Sequence, residues 1–310
     1  MGVDVGAGPT WGNAISFMVS TRRSFLLATA GLVLLAQSPL WAVERDSPSA
    51  ARAQLGQLEK RFGGRIRVFA LNTADGSGLS YRADERFPVC STFKVLAAAA
   101  LLRKSGRVPG LMQQRIKYQQ GNLVSHSPIT EKHVSGGMTV AELCAAAIQY
   151  SDNTAGNLML RMLGGPSALT AFSRSIGDSQ FRLDRWETAL NTAIPGDSRD
   201  TSTPRAMALN LERLVLGDAL KSQQRKQLRE WMLGNTTGTK RIKAGLPANW
   251  LIGDKTGGGD YGTANDVGVL WPPHRKPIIV AIYTTQPKKD ATAQNEVIAD
   301  VARIVVKWVG

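Results

Sequence analysis

C-S-T-F-K, Cys90 to Lys94, stands between an apolar segment of hairpin character and the alanine-rich run V-L-A-A-A-A-L-L-R-K. The fold is organised around it. A serine that opens a helix holds its hydroxyl near the helix's unpaired N–H groups, and a lysine three residues on lies one turn along the same face. Such a pair can form an activated nucleophile. The amine takes or relays the hydroxyl proton, while the backbone N–H at the helix start points at any oxyanion that forms. Taken alone, Ser91 and Lys94 have a plainer reading as a helix cap and a solvated lysine. The rest of the chain decides between the two.

Upstream, Ser47 to Arg61 reads as an amphipathic helix with Ser47 as its cap. Arg65 to Leu71 alternates charged and apolar residues, N-T-A-D-G-S-G breaks the pattern and L-S-Y-R resumes it, which predicts a β-hairpin. Downstream, helical periods dominate from Thr92 to about Asp218. The candidate helices are Thr92 to Lys104, Thr139 to Tyr150, Ala155 to Leu163, Pro166 to Ile176, Pro204 to Leu216 and Ser222 to Leu233. Strand character returns in W-L-I-G-D-K-T-G, A-N-D-V-G-V-L-W-P-P and P-I-I-V-A-I-Y-T-T, and Ala293 to Val309 closes the chain as a helix. Strands at both ends with helices between them predict an α+β fold: an antiparallel sheet built from both termini and flanked by helices, with an inserted all-α lobe. We expect one domain over residues 43–310, its α/β lobe formed by 43–90 and 237–310 and its helical lobe by 91–236. A cleft between the lobes would gather residues distant in sequence.

The first 42 residues read separately. Thr21-Arg22-Arg23-Ser24-Phe25-Leu26 precedes an apolar run ending at Ala36, and Leu40-Trp41-Ala42 follows. This is the layout of a cleaved export signal of twin-arginine type, with Met18 as a possible true start; the apolar run is too short to span a bilayer. We therefore expect a periplasmic or secreted protein with no stable membrane anchor. The formal charge of +14 permits nucleic-acid binding, but the basic residues are scattered and no aromatic-interleaved cluster appears. A solvated basic surface that associates loosely with anionic envelope polymers is the reading kept. Cys90 and Cys144 are expected to stay unbridged, one beside the candidate nucleophile and the other inside an apolar helix. His126, His133 and His274 form no ligand-spaced cluster, so no metal and no cofactor are expected.

Three further stretches carry candidate chemistry. Ser151-Asp152-Asn153 stands at a helix junction, where a hydroxyl can pass a proton and an amide can donate to a substrate carbonyl; it reads equally as a cap. Lys255-Thr256-Gly257, late in a strand, offers an ammonium and a hydroxyl to an anionic group, with glycines that let a ligand lie against the backbone. Phe181 to Asp200 has neither period and is long for a connection, as a functional Ω-loop would be. Within it Glu187 and Asn191 are spaced to hold one water if a helical turn forms, and Arg185 and Asp200 can clamp the loop by an ion pair.

The order S-T-F-K, S-D-N, a Glu-bearing loop and K-T-G resembles the class A serine β-lactamases. The likeness covers nearly all of the chain after the leader and extends to P-I-T-E-K-H, R-W-E-T-A-L-N and K-T-G-G-G-D-Y-G-T-A-N-D. It implies the fold of the penicillin-recognising serine enzymes and hydrolysis of penicillins and cephalosporins through an acyl-enzyme, giving antibiotic resistance. By the same resemblance Ser91 is the nucleophile, Lys94 its base or relay, and Glu187 with Asn191 orients the deacylating water. Ser151 relays a proton to the lactam nitrogen, and Asn153 binds the substrate's amide. Lys255 with Thr256 holds its carboxylate with support from Arg241, Gly257 belongs to the same substrate-binding strand, and Ser91 and Gly258 supply the oxyanion N–H groups. His126 takes the place of a rim aromatic. Gly258 lacks the hydroxyl many members carry there, Ala98 stands where one relative has a Cys facing the Cys144 position, and Gly259 where carbapenem-hydrolysing relatives have a Cys paired with the Cys90 position. A monomer is expected. The rival readings are a D,D-peptidase or penicillin-binding protein, against which the Glu187 loop argues, and a non-catalytic envelope-binding or sensor domain.

Overall fold

The computed structural model describes residues Arg45–Gly310; the leader expected over 1–42 lies outside the described residues. Helix α1 (Pro48–Phe62) starts at Ser47, whose side chain accepts from the Ala50 N–H, and stops at Gly63 in left-handed conformation (φ 69°). The hairpin is β1 (Arg65–Asn72) and β2 (Gly78–Tyr81). A short strand β3 (Phe87–Pro88) leads into a 3-10 turn, Cys90–Thr92, and then α2 (Phe93–Ser105). Next come β4 (Arg115–Ile116), β5 (Met138–Thr139), α3 (Val140–Gln149), α4 (Asn153–Leu163) and α5 (Pro166–Ser175). They are followed by β6 (Thr201–Ser202), α6 (Pro204–Leu211), a π-helical segment (Glu212–Leu216) and α7 (Ser222–Leu233). The chain ends with β7 (Leu251–Gly259), β8 (Thr263–Trp271), β9 (Ile278–Thr285) and α8 (Asn295–Val309).

The five long strands form one antiparallel sheet in the order β2-β1-β9-β8-β7, so the C-terminal meander completes the N-terminal hairpin. Successive residues of β9 alternate between two cores. Ile279, Ala281 and Tyr283 pack with the helices, whereas Ile278, Val280 and Ile282 pack under α1 and α8. That period of two with both faces covered explains why β9 reads as an unbroken apolar run. Arg67, on the charged side of the β1 alternation, is also buried, paired with Glu59 and Glu85.

Three details depart from the sequence expectations. Two short ladders, β3 with β6 and β4 with β5, are too brief to show alternation; the first ties the segment before Ser91 to the inserted region and the second lies within it. The helix expected over Pro204 to Leu216 widens at its end, where the Gly217 N–H bonds the Glu212 carbonyl five residues back (2.8 Å). Helix α4 begins at Asn153, earlier than Ala155, because the Asp152 carboxylate caps it by accepting from the Ala155 N–H (2.8 Å).

Candidate active site

Ser91 sits in the 3-10 turn, preceded by Cys90 at φ 43°, a left-handed conformation unusual outside glycine. The turn is tied down on several sides: Thr92 Oγ1 donates to the Val89 carbonyl (2.7 Å), Asn265 Nδ2 to the Pro88 carbonyl (2.8 Å) and Val89 N–H to the Asp200 carbonyl (2.8 Å). Lys94, one turn into α2, is fully buried. Its Nζ donates to Ser91 Oγ (2.8 Å), to the Ser151 carbonyl (2.9 Å) and to Asn153 Oδ1 (2.6 Å), and lies 2.9 Å from Glu187 Oε1. Four acceptors around one nitrogen make the setting of an ammonium, and the buried Glu187 carboxylate supplies the opposite charge that burial requires. Ser91 Oγ in turn donates to Glu187 Oε1 (3.3 Å).

The opposite wall comes from the junction before α4 and from β7. Ser151 is in left-handed conformation (φ 57°), and its Oγ accepts from Lys255 Nζ at 3.0 Å. Asn153 spends one amide hydrogen on the Ser125 carbonyl (2.9 Å) and its oxygen on Lys94. Lys255 is fully buried, and desolvation first, then the Lys94 charge, hold its pKa well below the ordinary lysine value. Thr256 Oγ1 bonds Thr237 Oγ1 (2.5 Å). Gly257 allows close approach: a Cβ there would lie 3.0 Å from the Val89 carbonyl oxygen. Arg241 donates from Nη1 to the Gly257 and Asn265 carbonyls (2.7 and 2.6 Å), and its Nη2 lies 4.0 Å from where a Cβ on Gly258 would stand. Behind this strand Asp254 and Asp266 are buried diagonally across β7 and β8; burial raises the pKa of both, Asp266 well above the ordinary range.

The loop from Phe181 to Asp200 carries one 3-10 turn, Ala189–Thr192. That turn brings Asn191 Nδ2 within 2.5 Å of Glu187 Oε2. Asp200 accepts from Arg185 Nε (2.5 Å) and from the Asp184 and Arg185 N–H groups (2.7 and 2.9 Å), so the two ends of the loop are joined at a fully buried carboxylate. The Asn191 carbonyl accepts from the Asp260 N–H (2.9 Å), which joins the loop to the end of β7.

The structure thus brings together Ser91, Lys94, Ser151, Asn153, Glu187, Asn191 and Lys255, with Thr256, Gly257, Gly258 and Arg241 beside them on or against β7. His126 is exposed, and its Nε2 bonds the Tyr150 carbonyl (3.1 Å). Cys90 and Cys144 are buried and unbridged, and burial pushes both thiols well up. A Cβ on Gly259 would lie 2.9 Å from Cys90 Sγ.

Two residues of the site escaped the sequence. Asn157 grips the Glu187 backbone from both sides, its Nδ2 donating to the carbonyl and its Oδ1 accepting from the N–H (2.9 Å each). Gly156 lets α4 lie against Lys94, since a Cβ would stand 2.9 Å from Lys94 Cε. The signal available for both was their place within the first five residues of the helix that opens with S-D-N. Among the described residues no group of three His, Cys, Asp or Glu side chains is placed to hold a metal ion, and no helix is long and apolar enough to cross a membrane.

The family model described as Beta-lactamase enzyme family matches residues 50–309. The chain is 55% identical over 289 residues to Beta-lactamase OXY-1 of Klebsiella oxytoca, covering 93% of this chain and 98% of that one. It is 53% identical over 286 residues to Beta-lactamase Toho-1 of Escherichia coli, covering 92% and 97%. It is 56% identical over 255 residues to the carbapenem-hydrolyzing beta-lactamase KPC of Klebsiella oxytoca, covering 82% and 87%. A crystal structure of a β-lactamase from Desulfarculus baarsii superposes with a TM-score of 0.85 at 55% identity, covering 86% of this chain and 99% of that one.

Proposed function

The chain belongs to the β-lactamase enzyme family as a class A serine β-lactamase that hydrolyses the β-lactam amide of penicillins and cephalosporins and so gives antibiotic resistance, and on that premise we propose how its residues divide the reaction. Ser91 Oγ attacks the lactam carbonyl. Its proton passes to Glu187, the acceptor its hydrogen bond reaches, while the Lys94 ammonium faces both oxygens and favours the charge that moves between them. The N–H groups of Ser91 and Gly258 receive the oxyanion. As the carbon–nitrogen bond breaks, Ser151 gives its hydroxyl proton to the lactam nitrogen, resupplied from the Lys255 side through the 3.0 Å bond between them. Glu187 gives the proton it took from Ser91 to solvent water, which reprotonates Lys255; as a carboxylate again, it takes a proton from a water that attacks the acyl ester and passes it to Ser91 Oγ, which leaves as the hydroxyl. Asn191 Oδ1, buried without a partner among the described residues, is the acceptor left for that water's other hydrogen.

Lys255, Thr256 and Arg241 form the cationic end that receives the substrate carboxylate, and Asn153 keeps one amide hydrogen for its side-chain carbonyl. His126 forms the rim. The observation that carries the assignment is Lys94 Nζ within hydrogen-bond reach of both Ser91 and Glu187 at a fully buried position. The test is turnover of a chromogenic cephalosporin. Many turnovers per enzyme support hydrolysis with a placed water, whereas a stoichiometric, stable acyl adduct would assign a D,D-peptidase instead. Gly259 leaves Cys90 unbridged, and we place penicillins and cephalosporins ahead of carbapenems; a hydrolysis panel with one of each ranks them. We place the protein as a monomer, which its elution volume in size-exclusion chromatography tests. Twin-arginine export with cleavage after Ala42, and a domain over 43–310 with lobes 43–90 plus 237–310 and 91–236, complete the proposal. N-terminal sequencing of the exported protein tests the cleavage.

A further inference from the structure

At the far end of α2 from Ser91, a cavity of about 640 Å³ opens between the ends of α2 and α5, the π-helical segment and the start of α7. Arg103 lies ten residues beyond Phe93, roughly 15 Å along the helix from the catalytic end. Four cations line the cavity, Arg103, Arg107, Arg213 and Lys221, against one carboxylate, Asp218. None of the four is in an ion pair among the described residues, although ion pairs hold many of this chain's other arginines. Arg103 and Arg107 follow from the end of α2, where cations suit the helix dipole. The other two do not.

Lys221 stands at the N-cap of the twelve-residue α7, where the dipole opposes a positive charge. Its Cε lies 4.0 Å from where a Cβ on Gly106 would stand, which places the side chain over the end of α2 beside Arg107. Arg213 is half-buried on the π-helical segment, and its guanidinium packs flat over Gly177, 3.5 to 3.6 Å from where a Cβ would stand. Like charges gathered from three elements, one of them against its own helix dipole, are relieved by an anion lying between them.

We infer that this cavity is a binding site for a compact polyanion bearing two phosphate groups, separate from the β-lactam site. Arg103, Arg107, Arg213 and Lys221 all border it, which allows two cations to each phosphate. The chemistry is shared by a soluble diphosphate and by phosphate-bearing lipid headgroups.

The probe is inorganic pyrophosphate, titrated calorimetrically at low salt into the folded enzyme. Saturable binding is expected, weakened at least about tenfold in the double variant Arg213→Gln, Lys221→Gln. Hydrolysis of a chromogenic cephalosporin should stay within about twofold of the parent, which also certifies the fold. The control double variant Arg52→Gln, Arg61→Gln removes the same charge from the exposed face of α1 and should leave binding within about twofold. Co-sedimentation with diphosphatidylglycerol vesicles, whose headgroup carries two phosphates, lost in the cavity variant and kept in the control, assigns the lipid source; pyrophosphate binding without co-sedimentation assigns the soluble one. No saturable binding of either probe, or equal weakening by the control, overturns the inference.

Discussion

Ser91 and Glu187, the nucleophile and the water-placing carboxylate we propose, meet within one hydrogen bond, yet they are held in place by different physics. Ser91 and Lys94 belong to a turn and helix in which every residue from Phe93 to Leu102 is buried, so their positions follow from core packing. Glu187 rides a loop with one short 3-10 turn, and polar clamps hold it: Asn157 on its backbone, Arg185 with Asp200 at the loop's ends, Asn191 on its carboxylate. On the proposed roles, acylation draws on the core-held pair as well as on Glu187, whereas deacylation rests on Glu187 and its few hydrogen bonds, so substitutions on the loop should slow deacylation more than acylation.

Lys94→Met should hit both halves hardest, because it removes the cation that faces Ser91 and Glu187 and leaves Glu187 buried without its partner. Acylation, followed by rapid mixing with a chromogenic cephalosporin, should slow by about 10³-fold or more. An effect under tenfold would place the proton path elsewhere. Asn157→Ala should break the symmetry between the halves: the carboxylate shifts while Ser91 and Lys94 stay, so deacylation slows about 10²-fold and acylation, which also hands its proton to Glu187, only about tenfold. Equal slowing of both steps would mean that the loop and the nucleophile are not separable. Asp200→Asn is the milder version. It keeps the shape of the clamp and removes its charge, and the expected result is about tenfold slower deacylation with a fall of a few degrees in Tm. Because Val89 also bonds the Asp200 carbonyl, a substitution that displaced the backbone would reach Ser91 as well.

The smallest effect concerns neither half. Burial and the neighbouring Asp254 hold the Asp266 carboxyl well above the ordinary aspartate range, so folding binds a proton there. The stability this contributes is complete below the ordinary range and is lost as pH rises through the folded value. Asp266→Asn imitates the neutral acid and can still accept from the Ile242 N–H. Its Tm relative to the parent should therefore climb by a few degrees between acidic and alkaline pH. A difference that stays flat with pH would show that the group is ionised throughout.

The same contrast explains what the sequence made legible. The hairpin, the meander and most helices announce themselves by period and by their Ser, Thr, Pro or Gly boundaries. Ser91, Ser151 and Lys255 stand out because they fall at a helix start, a helix junction and a glycine-rich strand end. The loop was visible as a stretch without period, and Glu187 with Asn191 by spacing. What holds them was not. Asn157 acts on a residue thirty positions away and Asn265 on a turn that precedes it by more than 170, and neither contact leaves a local pattern. Gly156 reads as an ordinary helix residue until Lys94 is placed against it. The π-helical end of α6 keeps an apolar spacing close to that of an α-helix, so the widened turn was hidden too.

The central claim is that one carboxylate on the clamped loop releases the acyl-enzyme formed on the core-held serine. Intact-protein mass spectrometry of Glu187→Ala after brief exposure to a penicillin tests it most directly. The account predicts a lasting mass increase equal to one ring-opened penicillin, absent from Ser91→Ala and cleared within seconds from the parent. Turnover of the penicillin by Glu187→Ala at the parent's rate, with no adduct, would contradict it.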